Sequence, residues 1–220
     1  MNINKEYTTW ILSSGRAGSD IQCVSLASAL HLQPCIKKLA LRFPWSFLPE
    51  PLWIKPLQAY TRESDSLSPP WPDIVIGSGR CSAVTTAKIK SICLKQQKKC
   101  FAIQILDPRV PSSQYDCVIA PAHSCVQGPN VLQTLGSLHP YTSYAYQKAY
   151  NTFSFLFSSL PKPIILVLMG GKSRYYQYDY SAITSLAQTL RKMIQKKGGS
   201  LLVSASRRTP SDLYALVKNI

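Results

Sequence analysis

The sequence predicts an α/β protein made of two Rossmann-like parallel-sheet domains, and three observations carry that expectation. Short strand-like runs alternate with stretches of helical periodicity; the strand runs are almost continuously apolar, as strands covered on both faces must be; and turns of small residues separate each strand from the helix that follows. The composition agrees. The chain has 220 residues, 45% of them hydrophobic and 16% charged, which is the make-up of a folded globular protein and not of a disordered tail.

The elements follow in order. Tyr7 to Leu12 is a β-rich run ending in Ser13-Ser14-Gly15, and Ile21, Val24, Leu26, Ala27 and Leu30 then recur at helical spacing, with Ser19 or Asp20 as the expected N-cap. A strand fits Ile36 to Leu41. Between Phe43 and Pro72 seven prolines predict an ordered excursion, since proline suits neither a helix interior nor a central strand. Asp73 to Ile76, Gly77-Ser78-Gly79 and a face of Val84, Ile89, Ile92 and Cys93 repeat the strand, turn and helix; Phe101 to Leu106 and Asp116 to Ile119 add two strands. The aromatic helix-like run Tyr144 to Leu156 ends at the break Ser158 to Pro163, where the domain boundary is expected. That gives an N-terminal Rossmann-like domain over 1–158, with the excursion 43–72, and a second domain over 159–220. The second holds two further units: Ile164 to Leu168, Gly170-Gly171 and Ile183, Leu186, Leu190, Ile194; then Leu201 to Val203, Ser204 to Pro210 and Leu213 to Val217. Two βα units fall below the usual domain size of roughly 100–150 residues, so this domain reads as incomplete. Its edge groups and the apolar faces of Leu213, Leu216 and Val217 need cover, from the first domain or from a second copy of the chain.

Charge narrows the partners. Lys and Arg number 25 against 10 Asp and Glu, a net charge of +15, and Tyr141 to Ile220 holds 11 basic and 2 acidic residues. Such an excess attracts a nucleic acid, an anionic membrane surface or a phosphate-bearing small molecule. The longest apolar run, Ile164 to Met169, is far short of the roughly 20 residues a membrane-spanning helix needs, and the N-terminus lacks a signal-peptide pattern. The expected location is cytoplasmic, with peripheral attachment at the inner membrane surface open to so basic a chain. Seven cysteines without a C-x-x-C pair predict neither a disulfide framework nor a zinc site, but reduced and mostly buried thiols. His31, His123 and His139 are scattered, so no metal site is expected, and His31 reads as a structural helix-end residue.

Four turns share one feature: small residues and a cation between the carboxyl end of a parallel strand and a helix N-terminus, where free N–H groups and the helix dipole favour an anion. They are Gly15-Arg16-Ala17-Gly18, Gly77-Ser78-Gly79-Arg80, Gly170-Gly171-Lys172-Ser173-Arg174 and Ser204-Ala205-Ser206-Arg207-Arg208. Two sharper motifs fail. GSGRCSA from Gly77 approximates the dinucleotide fingerprint, but the first acidic residue downstream is Asp107, well past the distance of about 20 residues the ribose contact requires. GGKS from Gly170 lacks the upstream glycine of a P-loop. Asp107, in Leu106-Asp107-Pro108-Arg109, ends a strand, where its carboxylate serves as a turn former or as a catalytic base.

Read together, SSGRAGSD (Ser13 to Asp20), PPWPDIVIGSGRCSA (Pro69 to Ala83), LDPRVP (Leu106 to Pro111), APAH (Ala120 to His123), GPNVLQTLGSLH (Gly128 to His139), MGGKSRYY (Met169 to Tyr176) and SLLVSASRRTP (Ser200 to Pro210) resemble the mitochondrial-fission "elongated mitochondria" family. These are bacterial and plant proteins, often labelled nucleoside-diphosphate-sugar epimerases and similar to GT-B glycosyltransferases. The resemblance implies a GT-B-like pair of domains facing across a cleft, the first for an acceptor and the second for a nucleotide-sugar. It implies acceptor-side loops at Gly15, Arg16, Gly18, Gly77, Gly79 and Arg80, with Ser19 where the family has histidine. Gly170, Gly171, Lys172, Ser173 and Arg174 match the donor diphosphate loop, and Ser206, Arg207 and Arg208 the next loop on that face. No cofactor is implied, the nucleotide-sugar being the substrate. The family continues for about another half domain, so the resemblance implies a transferase-related chain incomplete for catalysis. The alternative is a non-catalytic basic module for an anionic membrane or nucleic acid, with Tyr175, Tyr176, Tyr178 and Tyr180 as the stacking candidates.

Overall fold

The computed structural model describes residues 7–171 and 176–220. Contacts within the chain divide it into Met1–Tyr141 and Thr142–Ile220. In this division the helix before the Ser158 to Pro163 break is grouped with the second unit.

The first unit is a six-stranded parallel sheet in the order β2-β1-β3-β4-β5-β6, formed by β1 (Thr9–Ser13), β2 (Pro34–Lys38), β3 (Ile74–Ser78), β4 (Phe101–Ile105), β5 (Cys117–Pro121) and β6 (Val131–Thr134). Ile11 pairs with Ile36 on one side and Ile76 on the other. Alternation along the strands sends side chains to two cores. Ile11, Ile76, Ile103, Ile105 and Ile119 meet Cys23 and Ala27 of α1 (Ala17–Ala29). Trp10, Leu12, Val75 and Ala102 meet Ile89 and Cys93 of α2 (Arg80–Lys95), together with Leu39, Tyr60 and Trp71 from the ends of the proline-rich segment. Helices on both faces make the sheet doubly wound and Rossmann-like.

Three local outcomes differ from the sequence reading. Helix α1 starts at Ala17, with Arg16 at the N-cap position and no side-chain cap, so Ser19 and Asp20 lie inside the first turn; their N–H groups bond the Arg16 carbonyl. The reason is Gly15, whose φ of 70° turns the chain early enough to begin the helix. Strand β6 went unread because the four-residue run VLQT is half polar; it pairs with β5 at Val118 and Val131. The cysteines are all free, but only Cys23 and Cys93 are buried, while Cys35 and Cys125 are exposed. The excursion is ordered, as its prolines predict: it holds short 3-10 turns at Glu50–Leu52 and Pro56–Gln58, an antiparallel bridge between Leu41 and Tyr60 joins its ends, and the Tyr60 hydroxyl, 2.7 Å from Thr85 Oγ1, ties it to α2.

The second unit pairs β7 (Ile164–Met169) in parallel with β8 (Ser200–Ala205) and adds α3 (Ser143–Ser158), α4 (Tyr180–Lys197) and α5 (Ser211–Lys218). Leu190 of α4 and Leu213 and Val217 of α5 bury Met169, Ile165 and Val203. Leu213 and Val217 are therefore covered, contrary to expectation, and of the three helix residues only Leu216 is exposed; Leu166 and Leu168, on the other face of β7, are exposed instead. Asp179 caps α4, its Oδ1 accepting from the Ser181 and Ala182 N–H groups. Among the described residues no helix is long and apolar enough to cross a membrane.

Candidate functional site

In a sheet of this order the strand direction of travel reverses between β1 and β3, and the crevice outside their carboxyl ends is where such sheets bind ligands. The first two basic turns lie there. The Ser13 hydroxyl accepts the Gly15 N–H, and Arg16 is exposed at the start of α1. Gly79, at φ 66°, begins α2, and a Cβ built on it would lie 3.8 Å from the Ser19 hydroxyl, so the two helix N-termini face each other. Cys81 stands half-buried between them; burial pushes its thiol up, against the pull of the Arg16 and Arg80 guanidiniums.

The two turns are unequal as anion sites. Gly77 belongs to β3 and its role is close packing: a Cβ there would stand 2.3 Å from Thr86 Oγ1, 2.7 Å from Ser82 Oγ and 2.8 Å from Gln104 Oε1. The Gly79 N–H donates to the Ile105 carbonyl. Arg80 is held by its own chain: Nε lies 2.8 Å from Glu50 Oε1, and its terminal nitrogens donate to the Ser46 carbonyl at 2.8 Å and to the Leu48 carbonyl. Glu50 is only 4% exposed, so this is a buried pair that clamps the proline-rich segment onto α2. Gly18, in the first turn of α1, accepts the Gln22 side-chain amide on its carbonyl.

The loop after β4 lies on the same strand-end face. Asp107 is exposed and its Oδ1 accepts the Arg109 N–H at 2.8 Å, the turn-forming role its sequence position allows. Leu106 and Arg109 flank it at φ 68° and 56°, a concentration of left-handed backbone that non-glycine residues adopt chiefly where the surroundings impose it. The Arg109 guanidinium reaches within 4.0 Å of the same Glu50.

In the second unit the remaining two turns converge. A Cβ on Gly171 would stand 2.5 Å from Arg208 Cβ and 2.9 Å from Ser206 Oγ, so the loops after β7 and β8 are in contact at glycine separation. Thr209 Oγ1 donates to the Gly170 carbonyl at 2.7 Å, the Ser206 N–H donates to the Met169 carbonyl, and the Arg208 N–H to Ser206 Oγ. The Tyr178 hydroxyl donates to the Gly170 carbonyl. Arg207 and Arg208 are exposed and, among the described residues, have no ion-pair partner. Lys172, Ser173, Arg174 and Tyr175 lie outside the described residues.

Sequence reasoning missed Glu50, Gln104 and Thr209. Gln104 had a readable signal, a single amide in the apolar run FAIQIL; Glu50, between two prolines, had none. Among the described residues no group of three or more His, Cys, Asp and Glu gathers as a metal site would require.

A doubly wound, Rossmann-like α/β unit, followed by a smaller parallel βα unit with basic strand-end loops, defines the class of protein. The chain belongs to the mitochondrial fission ELM1 family, whose model matches residues 17–220. It is similar to "Uncharacterized protein RP120" of Rickettsia prowazekii (strain Madrid E), 22% identical over 247 aligned positions that take in 96% of this chain and 67% of that protein. It is also similar to "Mitochondrial fission protein ELM1" of Arabidopsis thaliana, 24% identical over 169 positions, covering 66% of this chain and 39% of the relative. No solved structure matches the chain.

Proposed function

We propose that the protein is related to GT-B glycosyltransferases and holds the diphosphate of a nucleotide-sugar at the carboxyl ends of β7 and β8. One observation carries the reading: Arg207 and Arg208 are exposed with no acidic partner among the described residues, in a loop packed against Gly171 and next to Gly170, where nothing lies within 4 Å of the place a Cβ would take. A diphosphate needs backbone that it can approach closely and cations whose charge is not already spent. Sugar transfer makes the same demand. When an acceptor hydroxyl attacks the anomeric carbon, the carbon–oxygen bond to the diphosphate breaks and the leaving group takes up negative charge, which fixed guanidiniums and N–H groups stabilise. The acceptor proton goes to a base. Gly15, Arg16 and Gly18 form the proposed acceptor-side turn.

The test is calorimetric titration of the full chain with uridine diphosphate and other nucleoside diphosphates. Binding is expected to saturate, to weaken with salt, and to fall by about tenfold to a hundredfold in Arg208→Ala, the range for one charge-assisted contact. No saturable signal, or wild-type affinity in both Arg208→Ala and Arg207→Ala, would remove the reading.

A further inference from the structure

From the proline-rich segment we infer that the tip Phe43 to Phe47 is a docking element for an anionic lipid bilayer. Phe43 and Phe47 are 78% and 80% exposed, with ring centroids 6.4 Å apart in an edge-to-face pair. Two phenylalanines side by side in water gain nothing for the fold from that position, and paired exposed aromatics mark a surface that meets an apolar phase. Their display is built. The Ser46 N–H donates to the Arg42 carbonyl and the Phe47 N–H to the Pro44 carbonyl, closing the turn. Arg80 takes the Ser46 and Leu48 carbonyls from the α2 side, and Trp53 Nε1 donates to the Leu48 carbonyl at 3.1 Å. The Arg42 guanidinium lies over the Trp45 ring, 5.0 Å from its centroid. A turn so held cannot fold its rings inward.

Charge selects the phase. Next to the rings the exposed charge is Arg42, with Lys38, Lys55 and Arg62 further along the segment; of its acids Glu50 is buried against Arg80, while Glu63 and Asp65 are exposed beyond Arg62, Asp65 accepting the Lys38 N–H, so the basic excess is at the tip. Aromatic side chains that enter the acyl boundary, beside a cation such as Arg42 that stays with the headgroups, are the combination that peripheral attachment to an anionic leaflet requires. Each term alone is weak, and together they give binding that depends on anionic lipid. The inference stands apart from nucleotide-sugar binding, since it uses none of the residues at the ends of β7 and β8.

The experiment is co-sedimentation of the full chain with vesicles of phosphatidylcholine alone or mixed with phosphatidylglycerol, at low and high salt. Wild-type protein is expected to sediment with the anionic vesicles, less so at high salt, and poorly with the neutral ones. In Phe43→Ser/Phe47→Ser the partition should fall by more than about tenfold, which the burial of one phenylalanine already supplies. Because both rings are exposed, circular dichroism of that variant should match wild type. Arg42→Glu should lower the partition as well, whereas Phe153→Ser/Phe155→Ser, two exposed rings on helix α3, should not. Failure of wild-type protein to bind, or loss of binding in the α3 variant with retention in the tip variant, overturns the assignment. So does a dimer in light scattering that the tip substitutions dissolve, which would make a second copy the occupant, or tip-dependent binding of single-stranded DNA without binding of vesicles.

Discussion

Arg80 decides between a binding loop and a structural clamp, and Arg80→Met measures which. Methionine keeps most of the aliphatic length and removes the charge, leaving Glu50, 4% exposed, without its 2.8 Å partner, the Ser46 carbonyl without the guanidinium, and the Leu48 carbonyl with Trp53 Nε1 alone. Removing one member of a buried pair costs about 3–5 kcal/mol. The lower end applies here, because Arg80 is 30% exposed and Arg109 stands 4.0 Å from the same carboxylate. For a chain of this size about 3 kcal/mol lowers the midpoint of thermal unfolding by roughly 6–12 °C. The double variant Glu50→Met/Arg80→Met should recover at least about 1.5 kcal/mol of the summed single losses, since an apolar pair in place of a buried ion pair is often neutral. Thermal unfolding followed by circular dichroism for the four proteins completes the cycle. If Arg80→Met melts within about 2 °C of wild type, or the two substitutions simply add, the guanidinium is a solvated cation and the clamp does not exist.

Two further outcomes follow from the packing. Gly77→Ala should cost about 1–3 kcal/mol by overpacking, read as a lower unfolding midpoint, and Thr86→Ala in the same chain should return part of it, because Ser82 and Gln104 still crowd the added methyl. Stability should also fall as pH rises from about 9 towards 12: burial pushes the Cys23 and Cys100 thiols up to about 12 and raises the Tyr60 and Tyr115 hydroxyls, so the unfolded chain loses these protons first and is favoured by each step upward, which urea titrations between pH 8 and 11 would show.

The sheet was legible because its signal is local. Apolar runs such as Trp10 to Leu12 and Val75 to Ile76 are strands buried on both faces, and no distant residue is needed to read them. The turns were legible as places. What each cation does in its turn depends on partners far along the chain: Glu50 precedes Arg80 by 30 residues, and the Ile105 carbonyl that takes the Gly79 N–H comes from a different strand. The start of α1 was misplaced for a related reason. Ser19 and Asp20 are the better cap formers, but the bend at Gly15 commits the backbone before they are reached, and the helix begins without a side-chain cap. Leu213 and Val217 looked uncovered because the periodicity that showed α4 does not show what it packs against; Leu190 of α4 meets them in one core.

The same turn grammar therefore ends in opposite states in the two units, and acidic residues make the difference. In the first unit every ion pair among the described residues draws on Glu50, Asp73 or Asp116, and the strand-end cation Arg80 is taken by the first of these. From Tyr141 onward there are only two acids. Asp179 is committed to the N-terminus of α4, and Asp212 accepts the Tyr180 hydroxyl at 2.7 Å, which raises the tyrosine's pKa. Among the described residues neither forms an ion pair with Arg207 or Arg208, which follow β8 in the loop that packs against Gly171. A cation beside a carboxylate needs no ligand for neutrality; a pair of arginines without a carboxylate partner among the described residues keeps its field for an anion. That asymmetry is why the proposal puts its anion site in the second unit, although all four turns carry small residues and a cation.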